Sequence, residues 1–400
     1  MSTTLRAIAF ALSLLFIFVI PWEGVELGSL GALGKPLGLL AAAMWGASIL
    51  AVGRLRGPKP FQIIVFFFVL WNALSVFWSA DPSETVAHTL TWVQLLVFVL
   101  MLWDLYTTRA AVLAGLQAYV FGAYVALGSA LRNFLSGASY YTNFDRFSAG
   151  DTNPDGFGFI MALGVPVAWY LGGTQSATRI GNLLRLANYA YVPAALLGIS
   201  LSGTRTALIA TVPAMAFGLA SLGRLPRKAR IAILVLVVSA ILALLPFVQT
   251  LTSFQRFNTT VTEVTEGDLN NRTNNWREGL ASFEKHPLAG VGGDMYRTVN
   301  SLGKVAHNSY ISVLVELGLI GFALFGSILA IALIQALGQP TWDRSFWLSL
   351  LAVWAIGAST LTWEYRKSTW LFLSLVVASA ALAPHREEAL PAASAGMAGQ

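Results

Sequence analysis

The stretch AHNSYISVLVELGLIGFALFGSILAIALIQAL, residues 306–337, decides how this chain is read. Its first five residues are small or polar. From Ile311 to Leu337 the run is almost wholly apolar and exceeds the roughly 20 residues that a helix needs to cross a bilayer. A histidine therefore sits where water meets the membrane, at the end of the longest polar segment in the sequence. On a continuous helix at about 100° per residue, Leu314, Gly318 and Gly321 fall within roughly 40° of the His307 direction. That face would carry an imidazole at the top and, below it, two glycines that let a neighbouring helix approach closely. Glu316 falls on the opposite face. An acid at that depth is costly unless paired or hydrated.

The rest of the composition agrees. Of the 400 residues, 56% are hydrophobic and 11% charged, against roughly 25% charged in a soluble domain. Backbone polar groups in lipid must be satisfied within the chain. The runs are continuous rather than alternating, which argues against a strand barrel. The fold class is all-α, a polytopic transmembrane helix bundle. The net charge of +6 resides largely in short loops that orient a membrane protein, and is no sign of nucleic-acid binding. The absence of cysteine excludes disulfides and thiolate metal sites. The first apolar run lacks a small-x-small cleavage site and reads as an uncleaved span.

The pattern predicts about 12 spans: 6–21, 29–53, 61–79, 84–105, 110–134, 154–172, 184–201, 204–223, 229–250, 307–337, 343–361 and 368–383. Residues 1–250 then hold spans 1–9, residues 251–306 a long loop with short amphipathic helices, notably Trp276 to Phe283, and residues 307–383 spans 10–12. The tail 384–400 reads as disordered and cytoplasmic. Arg54, Arg56 and Lys59 share a loop, as do Arg179 and Arg185, and Arg224, Arg227, Lys228 and Arg230. With twelve spans these loops and both termini fall on one side, which the positive-inside rule makes cytoplasmic. The opposite side receives the polar segments Arg132 to Asp155, Ser200 to Arg205, and Leu251 to Ala306.

Those outer segments carry the chemistry. Arg205 follows Ser202, Gly203 and Thr204, small residues that leave room for an anion. A lone arginine there can also simply snorkel to headgroups. In Asn270-Asn271-Arg272-Thr273-Asn274-Asn275-Trp276-Arg277, Arg272 and Trp276 are i,i+4 neighbours, while Arg277 points about 140° away. The planar fork of arginine suits phosphate oxygens. His286-Pro287-Leu288-Ala289-Gly290-Val291-Gly292-Gly293 looks like a phosphate loop, but no strand precedes it; it reads as a tight turn that returns the chain toward His307. Asp151-x-Asn153-x-Asp155 matches half a calcium loop, yet Pro154 fits better as the first residue of a helix capped by Asn153. Lys35, near the outer end of the second span, reads first as a lysine that snorkels to the headgroups and second as a phosphate ligand. Glu364, Arg366 and Lys367 form an outer cluster to which the sequence assigns no role.

Three of these segments together resemble a family. His307-Asn308, nine residues, then Gly318-Leu319-Ile320-Gly321 is similar to the signature of the O-antigen ligases. Arg272-x3-Trp276 followed by His286-Pro287-Leu288-x-Gly290-Val291-Gly292 looks like the outer loop of the wider ligase and polymerase superfamily, and Ser202-Gly203-Thr204-Arg205 like its arginine turn. The resemblance implies a metal-independent, cofactor-free inverting glycosyltransferase of the bacterial inner membrane, active at the periplasmic face. Its donor would be a glycan on undecaprenyl diphosphate and its acceptor a sugar hydroxyl of lipid A-core. Its partners would then be these two substrates and membrane lipids, with the protein a monomer. His307 would be the base and Arg205 and Arg272 the diphosphate ligands, with Arg277, Trp276, Asn308 and Lys35 as substrate contacts. Arg272 and Arg277 compete for one family position, and spacing to Trp276 favours Arg272. An O-antigen polymerase of the same architecture and a lipid-linked glycan transporter are the alternatives. A transporter would carry its polar residues at mid-membrane on broken helices, whereas here they gather at one end.

Overall fold

The computed structural model describes residues 2–26, 28, 31–141, 145–176, 178–223, 227–228, 230–235, 238–239, 242 and 272–383, and over these the protein is all-helical. The helices are α1 (Ser2–Val19), α2 (Gly34–Val52), α3 (Pro60–Leu74), α4 (Pro82–Leu105), α5 (Arg109–Leu135), α6 (Pro154–Thr174), α7 (Arg179–Ser202), α8 (Arg205–Leu222), α9 (Arg272–Lys285), α10 (Ser309–Leu337), α11 (Thr341–Ala358) and α12 (Lys367–Ala380). Eight helices among the described residues, α1 to α6, α8 and α10, are long and apolar enough to cross a membrane. Every expected span has a helix at its place except 229–250, which lies largely outside the described residues, as do 251–271 and the tail 384–400.

Local chemistry sets the helix ends. Asp81 caps α4, its carboxylate accepting from the amides of Ser83 and Glu84, and Thr108 caps α5 by accepting from Ala111. Pro154 opens α6, and Asn153 accepts from the Asp155 amide at 2.8 Å, as the helix-start reading required. Such caps satisfy amides that have no partner within the helix. Almost every residue of α6 is buried, packed among α5, α7, α8 and α11. This helix is the axis of the bundle.

Hydrogen bonds tie the loops into two ends. At one end the Asp151 amide donates to the Gly24 carbonyl, the Phe147 amide to Leu201, and the His307 amide to Thr362 Oγ1 at 2.9 Å. At the other, Asp104 accepts from Arg6, from Trp45 Nε1 and from the Arg56 amide, and Arg109 pairs with Asp343 across 2.7 Å. The loop carrying Arg56 lies at this second end, whereas Arg179 and Arg185, expected in a loop, fall in the first turns of α7, from which Arg185 reaches back to the Gln175 carbonyl.

One expectation fails in an informative way. Residues 307–337 do not form a single continuous helix: α10 is broken at Gly318, whose φ of 67° and ψ of −167° are non-helical. The wheel that aligned His307, Gly318 and Gly321 therefore does not run past the break. The segment His286 to Gly293 is also more than a turn, because it completes the broken helix. Val291 and Gly292 donate to the carbonyls of Val315 and Glu316, in the last turn of the upper half. The carbonyls of Pro287 and Leu288 accept from Leu319 and Ile320, the first amides of the lower half. Trp71 Nε1 satisfies the Leu317 carbonyl at 2.9 Å. Irregular backbone at membrane depth is tolerated where protein supplies the missing partners, and that is the case here. Glycine is obligatory on both strands of the contact. A Cβ on Gly318 would lie 2.3 Å from the Leu288 oxygen, and one on Gly290 2.3 Å from the Glu316 oxygen. Glu316 is satisfied too, accepting from the amides of Asp294 and Tyr296 at 3.1 and 3.3 Å.

Candidate active site

The site is assembled at the end of the bundle where His307 lies. Three segments far apart in sequence meet there. The first is Arg146, in the loop after α5. Its guanidinium donates to the Ser202 carbonyl at 2.7 Å, to Thr204 Oγ1 at 3.2 Å and to Asp155 Oδ1 at 2.6 Å. The second is the Ser202-Gly203-Thr204-Arg205 turn. Gly203, at φ 63°, ends α7, and Arg205 opens α8 two residues later. Thr204 Oγ1 contacts Asp155 Oδ1 at 3.2 Å and donates to the Pro154 carbonyl at 3.0 Å. The turn is thus bolted to the start of α6, and the partly buried Arg205 leaves it beside this network.

The third segment is α9 with the loop to α10. Trp276 Nε1 donates to the Ala306 carbonyl at 2.7 Å, and Asn275 Nδ2 to the Val305 carbonyl at 3.0 Å. Tyr296 donates its hydroxyl proton to the Asn275 carbonyl at 2.9 Å. Helix α9 therefore grips the two residues before His307. Asn308 caps α10, its side chain accepting from the amides of Tyr310 and Ile311 at 3.0 and 3.1 Å. Between these holds His307 takes the left-handed conformation, φ 50°, which is rare for a residue with a side chain and clusters at functional sites.

Electrostatics describe the result. The His307 imidazole is pushed down to about 4, first by burial and then by the positive charge of Arg272, with Lys304 and Arg297 adding to it and Asp155 opposing. It is consequently neutral near pH 7. The Arg272 guanidinium is itself lowered by burial and by Arg146, and raised by Asp155. Arg272, Arg146, Asp155 and His307 thus share one field. Arg277 is exposed and its nearest partner is Asn274 Oδ1 at 3.0 Å, so of the two competing arginines it is Arg272 that faces the imidazole. An uncharged imidazole among cations can accept a proton from a hydroxyl while the cations hold an anion.

The structure brings together Arg272, His307 and the turn bearing Arg205. Trp276 and Asn308 border the site through the backbone bonds just given. Lys35 is elsewhere, in a separate cleft lined by α1, α2 and α4. Two residues central to the network escaped sequence reasoning. Arg146 was passed over inside a polar loop, and Asp155 was read as half of a calcium loop or as a carboxylate lining a polar cavity, without its partner. The available signal was a pair of opposite charges nine residues apart, bracketing a helix start opened by proline.

An all-helical membrane bundle with a cationic, histidine-bearing site at one end defines a class of integral-membrane enzyme rather than a soluble one. Residues 190–326 match the family described as O-antigen ligase, a stretch that contains Arg205, Arg272 and His307. No curated protein matches the chain. The family similarity supports a multi-pass membrane protein with glycosyltransferase-like activity.

Proposed function

We propose that this protein is an O-antigen ligase of the bacterial inner membrane, transferring a glycan from undecaprenyl diphosphate to a sugar hydroxyl of lipid A-core at the periplasmic face. The observation that carries the reading is the shared field of His307, Arg272 and Asp155 beside the Arg205 turn. The His307 ring nitrogen that lacks a proton accepts the proton of the acceptor hydroxyl. The hydroxyl oxygen attacks the anomeric carbon from the face opposite the diphosphate, which inverts its configuration. The bond from that carbon to the diphosphate oxygen breaks, and its electron pair leaves on the diphosphate. Negative charge grows there, where Arg272 and Arg205 stand to meet it. Fixed cations placed where charge develops are a large source of rate acceleration. Arg146 and Asp155 are positioning residues: they hold the arginine turn to α6.

The break in α10 does not favour transport. A transporter leaves half-helix ends free for its substrate, but here those ends are bonded to Pro287, Leu288, Val291 and Gly292 of the same protein.

The test is reconstitution with an undecaprenyl-diphosphate-linked oligosaccharide, with and without lipid A-core. Glycan appearing on lipid A-core supports ligation. Chains that lengthen on the lipid carrier without lipid A-core identify a polymerase, and movement of donor across the bilayer without any transfer identifies a transporter.

A further inference from the structure

Outside the site just described lies a cavity of about 440 Å³ between α1, α2, α4 and the start of α12, a volume typical of ligand pockets. Its two halves differ in chemistry. The mouth carries Lys35, Arg366, Lys367, Glu23 and His88. Lys367 pairs with Glu23, so three cations face one carboxylate and the mouth is net positive. Two helices begin there, α2 beside Lys35 and α12 at Lys367, and neither has a side-chain cap or an acid in its first turn. Helix starts of this kind add further donors for an anion. Below the mouth the lining turns apolar, through Phe16, Leu95, Val97, Phe98 and Met101. Leu39 and Val93 on its wall are 62% and 43% exposed, so the apolar part opens sideways where lipid would surround the bundle.

We propose that this cavity binds a phosphorylated lipid, the phosphate held by Lys35, Arg366 and Lys367 and the hydrocarbon tail lying between α2 and α4. Charge and shape together argue for this occupant. A free anion would leave the apolar half unfilled, and a neutral lipid would leave the cations unmatched. The cavity is also coupled to the His307 site by a single loop. Residue 362 bonds the His307 amide, Trp363 donates its amide to Ser309 Oγ at 2.8 Å, and the side chain of Arg366 reaches the cavity with its guanidinium 5.2 Å from the Tyr365 ring. The inference goes beyond the transfer reading, since binding here requires no glycan and no base.

Native mass spectrometry of the full-length protein tests it, using farnesyl diphosphate, dioleoyl phosphatidic acid, dioleoylglycerol and inorganic phosphate as probes. Every measurement is repeated in an Arg205→Gln, Arg272→Gln background, which removes both arginines of the other anion site. At least one phosphorylated lipid should bind about tenfold or more tightly than dioleoylglycerol, and the two tails report whether the cavity prefers an isoprenoid or an acyl chain. Lys35→Gln with Arg366→Gln changes two exposed side chains, and an unchanged melting temperature shows that the double variant is folded. It should weaken phosphorylated-lipid binding about tenfold or more and leave dioleoylglycerol unchanged. Ala42→Phe, on the cavity wall, should weaken both lipids. Unchanged binding in either variant overturns the proposal, as does displacement of the lipid by an equal concentration of inorganic phosphate, which would mark a bare anion site. His307→Ala should bind every probe like the wild type, so a failure of the transfer reading leaves this result standing.

Discussion

His307 is held in place mainly through its backbone. Its amide binds Thr362, the carbonyl before it binds Trp276, and the residue after it caps α10. The imidazole is left free to react, and burial with nearby cations holds it at about 4. In kcat/KM, which reports the free enzyme, the acid limb should therefore fall far below the ordinary histidine range. The account expects a rate flat from pH 8 down to about 5, and a fall centred near 6.5 would contradict it. Arg272→Lys keeps the charge and loses the planar fork, so glycan transfer should drop about 10²-fold or more; a near-wild-type rate would show that a point charge suffices. Glu364, buried in the loop next to His307, is raised by burial to about 7, with Ser312 and Ser309 drawing it back. A carboxyl raised above its unfolded value of 4.5 favours folding while protonated, and that contribution declines as pH rises from about 4.5 to 7. Glu364→Gln should remove this part of the decline, visible as a flatter dependence of melting temperature on pH than in the wild type. Identical slopes would contradict it.

At the scale of elements, the broken α10 and the His286–Gly293 loop form one unit. The loop supplies the hydrogen bonds that the break removes, and the Glu316 carboxylate holds the loop's far end. The unit also sets where α9 and His307 sit, because the loop continues from α9 and the upper half of α10 begins two residues after His307. Gly318→Ala puts a side chain at φ 67° and ψ −167°, a region essentially confined to glycine, and a Cβ on the Leu288 oxygen. The conformation alone costs about 1–3 kcal/mol, and the contact takes the total to roughly 3 kcal/mol or more, in the range reached only by severe single substitutions. Thermal unfolding in detergent should show a midpoint lower by several degrees, with Gly326→Ala, where a Cβ meets open space, as the control. Equal midpoints for the two variants would show that the close backbone contact is not required.

Across the whole molecule, much of the fold was legible because bilayer crossing imposes a length and a polarity that any helix must meet. Runs such as 110–134 and 154–172 announced α5 and α6 by composition alone. The run 307–337 is long enough to tilt or break, but the place of the break was not legible, since the run through Gly318 is unbroken in hydropathy and its cause lies some 30 residues earlier in Leu288 and Gly290. The arginines and the histidine were legible as types. Arg146 was not, because its importance comes from contacts with Ser202, Thr204 and Asp155 that only folding creates. The contrast has a physical basis: hydropathy acts locally along the chain, while a polar network is set by which loops meet at one end of a bundle.

The central claim is that His307 accepts the acceptor's proton while the arginines hold the leaving diphosphate. The most direct measurement is the rate of glycan transfer to lipid A-core by His307→Ala in proteoliposomes, alongside its affinity for the lipid-linked donor. The account predicts transfer lowered about 10²- to 10⁴-fold, the usual contribution of a positioned base, with donor affinity close to wild type. Transfer at the wild-type rate would contradict it.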